Sequence, residues 1–215
     1  KPEAGYNPGA GSAKAKAVRE PACEVNTGKM ATMPTFWFYY IWAILVSAAG
    51  LALVSQASGI ASQVGTTVSD GNIATVVGLI SIFNGIGRVI FGGLFDKKGY
   101  RFTMILDMII FIVAALILVL ALVSGNFAFI VIGFVVGGLV TPTNPAIISD
   151  FFGRENYSMN FSLINTNLLI ASFASTIAGK LYDASGSFMT TIFMMIIVTV
   201  LGFVVSFGVR RPKNK

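Results

Sequence analysis

Six apolar stretches, each long enough to cross a lipid bilayer as a helix, make up most of this chain of 215 residues. A bilayer core is about 30 Å thick, and a helix needs roughly 20 apolar residues to cross it. The breaks between the stretches are short and rich in Gly, Asn, Asp and Ser, which are typical of turns. We therefore predict six membrane-spanning helices, at residues 36–60, 73–95, 102–123, 127–149, 159–178 and 188–209.

The composition supports the same fold class, because 55% of the residues are hydrophobic and only 11% are charged. A surface exposed to water could hardly accommodate this balance. We predict an all-α integral membrane protein whose six-helix bundle spans residues 34–211. Residues 1–33 are rich in Ala, Gly, Pro and Lys, which predicts a flexible segment, and residues 212–215 form a short tail. The first segment has no signal-peptide core, and we expect the chain to be part of a longer protein.

The distribution of basic residues predicts how the bundle is oriented. One side of the predicted zigzag receives 13 of the 15 Lys and Arg residues, whereas the other side receives only Lys180, and Arg88 lies inside a span. By the positive-inside rule, we expect a multi-pass protein of the plasma (cytoplasmic) membrane with both termini of this chain in the cytoplasm. The formal net charge of +6 then follows from topology, and nucleic acid is not an expected partner.

Several classes of site are not expected. The chain has no His and a single Cys, Cys23, so we predict no internal disulfide, no zinc or haem centre and no other cofactor. The spans contain no pair of carboxylates that would act as acid and base, so an enzyme is not expected.

The break after the second span carries a recognisable motif, Gly92-Gly-Leu-Phe-Asp96-Lys97-Lys-Gly99-Tyr-Arg101. It resembles the G-x-L-x-D-K/R-x-G-x-R/K signature of the major facilitator superfamily, which lies between helices 2 and 3 and, less strictly, between helices 8 and 9. In such a loop the glycine permits close helix contact, and the acid and bases form a charged latch between helix ends. The alternative is an ordinary basic turn with a helix-ending glycine.

A narrower resemblance covers most of the chain. Residues 2–8, 35–51, 84–88 and 149–162 are similar to the central loop, helix 7, helix 8 and the helix 10 to 11 passage of oxalate/formate antiporter-type carriers, which are related to monocarboxylate carriers. The resemblance implies that the six spans are helices 7–12 of a 12-helix major facilitator fold. It also implies a partner, the N-terminal six-helix half of the same protein.

Arg88 is the strongest candidate for binding a ligand. It lies eight residues before Asp96, roughly 12 Å from the helix end. A guanidinium at that depth costs at least about 2.5 to 3.5 kcal/mol on insertion scales. Ser81 and Asn84 fall on the same helix face and complete a polar stripe, which makes them further substrate-binding candidates. In the resembling carriers an arginine at this place binds the substrate carboxylate, which implies that role for Arg88.

Asp107 is the other charge deep inside a span. A pair between Arg88 and Asp107 would be a resting-state lock, a proton-coupled relay or a packing device. Asp107 would otherwise pair with Arg101, which lies six residues earlier. The sequence leaves these alternatives open.

The fifth span is unusually polar for a helix immersed in lipid. Asn165 and Ser172 fall near one face, which we expect to line the cavity and bind substrate, while packing through small residues is the alternative. The resembling antiporters carry a lysine on this helix, whereas the matching position here falls at or beside Leu168. A dianion such as oxalate would lose its second countercharge, so a monocarboxylate is the more natural ligand unless the N-terminal half supplies a base.

Two prolines interrupt the fourth span. Pro142 and Pro145, with Asn144 between them, break the hydrogen-bond ladder of a helix and predict a gating bend, although a structural kink is equally compatible. At the start of the first span, six aromatic residues predict an interfacial belt, and the alternative is that one or two of them reach the cavity: Phe36, Trp37, Phe38, Tyr39, Tyr40 and Trp42.

Together these features predict a secondary active transporter, an antiporter or a proton symporter, that carries a small organic anion, preferably a monocarboxylate, by alternating access. Its expected partners are the anion, the lipid bilayer, the N-terminal half of the protein and, in a symporter, protons. The alternative is a membrane sensor or a non-transporting subunit that keeps a transporter-like fold.

Overall fold

The computed structural model describes residues 20–212, and every regular element in this range is an α-helix. The helices are α1 (Thr27–Ala31), α2 (Pro34–Val64), α3 (Asp70–Lys98), α4 (Tyr100–Ser124), α5 (Phe127–Gly138), α6 (Asn144–Phe152), α7 (Tyr157–Asn165), α8 (Asn167–Ser185) and α9 (Phe188–Ser206).

Within residues 20–212, five segments are long and apolar enough to cross a membrane, namely α2, α3, α4, α9 and the combined α7–α8 segment. The sixth apolar segment is divided into α5 and α6 by the non-helical residues 139–143. The predicted fold class, an all-helical membrane bundle, is therefore confirmed. The predicted span 127–149 is not one continuous helix, however, because residues 139–143 leave the helical path.

The combined α7–α8 segment is interrupted at Thr166, which the sequence pattern did not predict. The Thr166 backbone N–H donates to the carbonyl of Leu163, three residues earlier, at 3.2 Å. Its hydroxyl also lies 2.6 Å from the hydroxyl of Tyr40 on α2. A single residue with helical backbone angles therefore separates α7 from α8, and it is held by local bonds and by a contact with another helix.

α2 is the central helix of the bundle and packs against α8, α9, α3 and α5. Its contact surface is rich in small side chains, which let helix backbones approach closely in a membrane. Six alanines of α2 are buried: Ala43, Ala48, Ala49, Ala52, Ala57 and Ala61.

The aromatic cluster at the start of α2 is only partly an interfacial belt. Trp37 and Phe38 are exposed, as expected for such a belt. Phe36, Tyr39 and Trp42 are instead at most 1% exposed. Because α2 is surrounded by other helices, one side of its first turns faces protein rather than lipid, and these three rings belong to the core.

The loop that carries the sequence motif is a single residue, Gly99, between α3 and α4. Its φ angle is +82°, in the half of φ space that favours glycine over residues with a Cβ. Gly99 therefore allows α4 to begin immediately after α3 ends. We call the end of the bundle that carries Gly99, Gly153 and Arg211 the basic end.

Residues 20–33, which we call the strap, are ordered and lie against the basic end. The segment predicted to be flexible therefore contains α1 and bonds to the bundle within residues 20–33, while residues 1–19 lie outside the described range. The strap donates to the last three carbonyls of α6, from the N–H of Ala22, the thiol of Cys23 and the N–H of Val25. The last carbonyls of a helix lack partners within the helix, so the strap satisfies groups that would otherwise be unbonded.

The strap also caps the start of the next segment. The Glu24 carboxylate accepts hydrogen bonds from the backbone N–H groups of Arg154 and Glu155, at 2.9 and 3.1 Å. Asn160 on α7 donates to the Val25 carbonyl at 3.0 Å. Burial, the largest cause, raises the pKa of the Cys23 thiol, so this group stays protonated and remains a donor. The strap therefore joins the ends of α6 and α7.

Candidate functional site

The non-helical residues 139–143, which we call the unwound turn, form the centre of the candidate site. α5 ends at Gly138, and α6 begins at Asn144 with Pro145 in its first turn. Proline has no backbone N–H to donate, so Pro142 cannot continue a helical ladder, while Pro145 suits the start of a new helix. The break follows from these two prolines, as the sequence pattern indicates.

Two side chains from other helices satisfy backbone groups of the unwound turn. The Asn84 side-chain amide on α3 donates to the carbonyl of Val140 at 3.2 Å. On the other side, the Asp107 carboxylate on α4 accepts a hydrogen bond from the N–H of Thr141, also at 3.2 Å. Because unpaired backbone groups are costly inside a membrane, these two bonds make the break stable.

Two glycines let α3 approach the unwound turn. A Cβ atom at Gly87 would overlap the backbone carbonyl of Leu139. A Cβ atom at Gly138 would lie 2.8 Å from the carbonyl oxygen of Ile80. Glycine at both positions therefore lets Asn84 reach Val140, since α3 and the turn are in backbone contact.

A polar network links three helices beside the unwound turn. The Tyr39 hydroxyl on α2 donates to the side-chain oxygen of Asn144 at 2.7 Å, and the Asn144 amide donates to the side-chain oxygen of Asn165 at 3.3 Å. Asn144 is therefore a shared partner of α2 and α7. The structure thus gives Asn144 a specific bonding role within the predicted bend.

A cavity of about 890 Å³ lies between α2, α3, the unwound turn and α7–α8. Arg88 is the sole charged side chain among its described lining residues, and Arg88 and Ser81 are exposed on its wall. The cavity brings together most of the candidate residues identified from the sequence: Ser81, Asn84, Arg88, Gly92, Pro142, Asn144, Pro145 and Asn165.

Arg88 has no protein partner in the part of the chain that the structure describes. The ion pair found within residues 20–212 joins Arg211 to Asp150, and no hydrogen bond from the Arg88 side chain occurs in this range. No ion pair joins Arg88 to Asp107 in this structure, so the resting-state lock considered above is absent. The guanidinium instead lies on the cavity wall.

The remaining candidates lie elsewhere. Ser172 is exposed on α8, bonds to the carbonyl of Leu169 on its own helix and does not line the cavity. Asp96, Lys97 and Arg101 are exposed beside Gly99 at the basic end. None of these three forms an ion pair within residues 20–212, so the expected charged latch is absent here.

The basic end is joined instead by residues that the sequence analysis did not single out. Arg211 lies 3.0 Å from the Asp150 carboxylate on α6 and also donates to the carbonyl of Glu20. Its backbone N–H donates to the Tyr100 hydroxyl at 3.3 Å. A basic residue after the last span is common in membrane proteins. Its contacts with residues far away in the sequence leave no local sequence pattern.

Tyr39 and Thr141 are further residues of the site that sequence reasoning missed. Tyr39 was assigned to the interfacial belt, but its hydroxyl is bonded inside the bundle. Thr141 lies beside Pro142 and contributes its backbone N–H rather than its side chain. The prolines could have pointed to Thr141, because they interrupt the helical hydrogen-bond ladder and the backbone groups of adjacent residues then need other partners.

Fold and site together define a multi-pass helical membrane protein with a broken helix beside a cavity lined by one described charged side chain. The sequence matches the Major Facilitator Superfamily over residues 2–176. It is also 29% identical over 144 residues to a protein of Escherichia coli (strain K12) named "Uncharacterized MFS-type transporter YhjX". That alignment covers 65% of this chain and 35% of the relative, so the chain spans about a third of the relative's length. The chain belongs to the Major Facilitator Superfamily.

Proposed function

We propose that this chain is the C-terminal half of a secondary transporter that carries a small organic anion with a single carboxylate. The observation that carries the proposal is the Arg88 guanidinium, which lies on the cavity wall without a partner in residues 20–212. A cation in the middle of a span is expensive, so it needs either a protein carboxylate or a ligand. An anion in the cavity would supply the countercharge.

The chemistry of the guanidinium favours a carboxylate. Its planar fork donates two parallel hydrogen bonds to the two oxygens of one carboxylate. Ser81 lies seven residues earlier and also lines the cavity, as does Asn165 on α7. These side chains offer neutral hydrogen bonds to the rest of the anion. Ser172 is left out of the proposed site because it does not line the cavity.

The charge of the cavity favours a monoanion. Arg88 supplies its one positive charge among the described lining residues, and Leu168 stands on the wall where the resembling antiporters carry a second cation. A second carboxylate would enter this half without a countercharge. We therefore propose a monocarboxylate rather than oxalate.

Alternating access requires a second half that rocks against this one around the central site. We propose that the N-terminal six-helix half of the same protein closes the open side of the cavity and that the unwound turn supports the change of shape. The positive-inside rule favours a cytoplasmic location for the basic end, in the plasma membrane. Coupling by antiport and by proton symport both fit this scheme.

The test is uptake of labelled formate, acetate and lactate by the full-length protein in proteoliposomes, with protein-free vesicles as the background. We expect Arg88→Gln to lower uptake at least about thirtyfold, which corresponds to about 2 kcal/mol for a lost partner of a buried charge. Arg88→Lys keeps the charge but not the fork, so we expect an intermediate loss.

The matched control is Arg210→Gln, because Arg210 is exposed and makes no hydrogen bond or ion pair in the described range. This variant should transport within about twofold of the wild type. Wild-type rates for both Arg88 variants would exclude the proposed site. Binding of a carboxylate without accumulation by the wild type would favour a sensor instead.

A further inference from the structure

Asp107 is a buried carboxylate that the proposed anion site does not use. The residue is 1% exposed. One carboxylate oxygen, Oδ1, accepts the hydrogen bond from Thr141 in the unwound turn. The other oxygen, Oδ2, is buried and has no hydrogen-bond partner in the described part of the chain. A buried carboxylate normally accepts several hydrogen bonds or faces a cation, so Oδ2 is an unfilled acceptor.

The helices packed against α4 supply no cation to Asp107. These helices are α2, α3, α5 and α9. α5 and α9 contain no titratable or charged residue, and the titratable groups of α2 are the phenols of Tyr39 and Tyr40. The Tyr39 hydroxyl already donates to Asn144, and that of Tyr40 lies 2.6 Å from the Thr166 hydroxyl.

The charged residues of α3 and α4 do not neutralise Asp107 either. Arg88 is exposed on the cavity wall and forms no ion pair within residues 20–212. The others lie at the helix ends, where they are exposed or half-buried: Asp70, Asp96, Lys97, Lys98, Tyr100 and Arg101. An anionic Asp107 would therefore be an isolated charge in a medium of low polarity, which is strongly disfavoured.

Two further oxygens, from residues that line the cavity, are also buried and have no hydrogen-bond partner within residues 20–212. They are the hydroxyl oxygens of Thr143, in the turn itself, and of Ser47 on α2. Both residues line the cavity, and so does Thr141, which is bonded to Asp107. Unfilled oxygen acceptors beside unwound backbone suit a small hard cation.

We propose that Asp107 is the binding site of a small cation, either a proton or a sodium ion, which reaches it from the cavity past the unwound turn. The inference rests on the proposed function, because the cation offsets the charge that an anion brings into the membrane. With a carboxylate on Arg88 and a cation on Asp107, the occupied site is neutral. Without either ligand, Arg88 and Asp107 also have a net charge of zero, but the buried Asp107 anion then has no cationic partner within residues 20–212, which favours binding of the cation.

The test separates exchange of the anion from its accumulation, with full-length protein in proteoliposomes and labelled lactate as the probe. Exchange at equal concentrations needs no driving force, whereas accumulation is measured with either an imposed pH gradient or an imposed sodium gradient. Asp107→Asn removes the charge but keeps a side-chain oxygen for the N–H of Thr141. Asp183→Asn is the control, since the Asp183 side chain is exposed and makes no hydrogen bond or ion pair in residues 20–212.

We expect one of the two gradients to drive accumulation by the wild type and by Asp183→Asn. Asp107→Asn should lose at least about tenfold of this accumulation while its exchange stays within about threefold. Accumulation driven by the pH gradient would identify the cation as a proton, and accumulation driven by the sodium gradient would identify it as a sodium ion. If Asp107→Asn accumulated lactate as well as the wild type does, the cation site would be overturned and the anion site would remain. The same conclusion would follow if the wild-type protein exchanged lactate but neither gradient drove its accumulation.

A second measurement does not depend on transport. Infrared difference spectra of the purified wild-type protein are recorded between acid and alkaline pH and between sodium-free and sodium-containing buffer. A change in a buried carboxyl or carboxylate band is expected with one cation, and its absence with both would overturn the proposal. If no carboxylate is exchanged by the wild type, the proposed function fails, and the spectra then test the cation site separately: a band change that Asp107→Asn abolishes supports it, and no band change in the wild type excludes it.

Discussion

Arg88 and Arg211 carry the same guanidinium group in opposite surroundings. Arg211, at the basic end, donates to the Asp150 carboxylate and to the carbonyl of Glu20. The Arg88 side chain, on the cavity wall, makes no hydrogen bond or ion pair with any residue between 20 and 212. Arg211 therefore joins parts of the fold, whereas the Arg88 side chain lines a cavity and is available to a ligand.

The contrast extends to the regions around the two arginines. At the basic end, long-range bonds from the strap and from Arg211 join the ends of α4, α6 and α7. Around the cavity, Asn84 and Asp107 bond the backbone of the unwound turn, and the Arg88 guanidinium has no partner within residues 20–212. Substitutions at the basic end should therefore reduce stability, whereas substitutions on the cavity wall should reduce transport.

Arg211→Gln should have the largest effect on stability. It removes the guanidinium that lies 3.0 Å from Asp150, whose side chain is 5% exposed. A fully buried pair would cost more, but Arg211 is 33% exposed, so we expect a loss of about 1–2 kcal/mol. Thermal unfolding in detergent measures this loss. Uptake per folded molecule should stay near the wild-type value, and a loss of transport without a loss of stability would break the comparison.

Glu24→Gln should have a smaller effect in the same direction. The amide keeps an oxygen for the N–H groups of Arg154 and Glu155 but loses the charge that strengthens both bonds. Because Glu24 is exposed, we expect a loss of about 0.5–1 kcal/mol in the same unfolding experiment. Faster proteolysis within the strap should accompany it. Unchanged unfolding and proteolysis would mean that the carboxylate does not hold the strap.

Ser172→Ala and Ser81→Ala compare a serine outside the cavity with a serine on its wall, and we expect smaller effects here than for the arginines. Both serines were candidates, but only Ser81 lines the cavity. We expect Ser172→Ala to leave lactate uptake within about twofold, while Ser81→Ala lowers it about threefold to tenfold through one lost hydrogen bond. The concentration dependence of uptake measures both. Equal effects of the two variants would contradict the boundary of the site drawn here.

The fold class and part of the cavity were predictable from the sequence for simple physical reasons. Hydrophobic length alone defines the spans, and prolines mark the break at 139–143. Helical spacing put Ser81, Asn84 and Arg88 on one face, and all three line the cavity. The same spacing does not fix the rotation of α8, which is why Ser172 lies outside it.

The rest depends on contacts between distant residues. Composition suggested a flexible strap, but Ala22 and Val25 bond to carbonyls of α6 that lie more than a hundred residues later. No pattern within the spans indicated that Asn84 and Asp107 bond the same unwound turn, because that depends on how α3 and α4 pack against it. The local sequence predicts the secondary structure of a segment, whereas the packing of the helices decides which distant residues it bonds to.

Binding of a monocarboxylate to the purified full-length protein tests the central claim most directly. The dissociation constant of labelled lactate is measured for the wild type, Arg88→Gln and Arg211→Gln under identical conditions. We predict that the Arg211 variant binds like the wild type and that the Arg88 variant binds at least about thirtyfold more weakly. Equal affinity of the wild type and Arg88→Gln would contradict the claim that this arginine is held open for an anion.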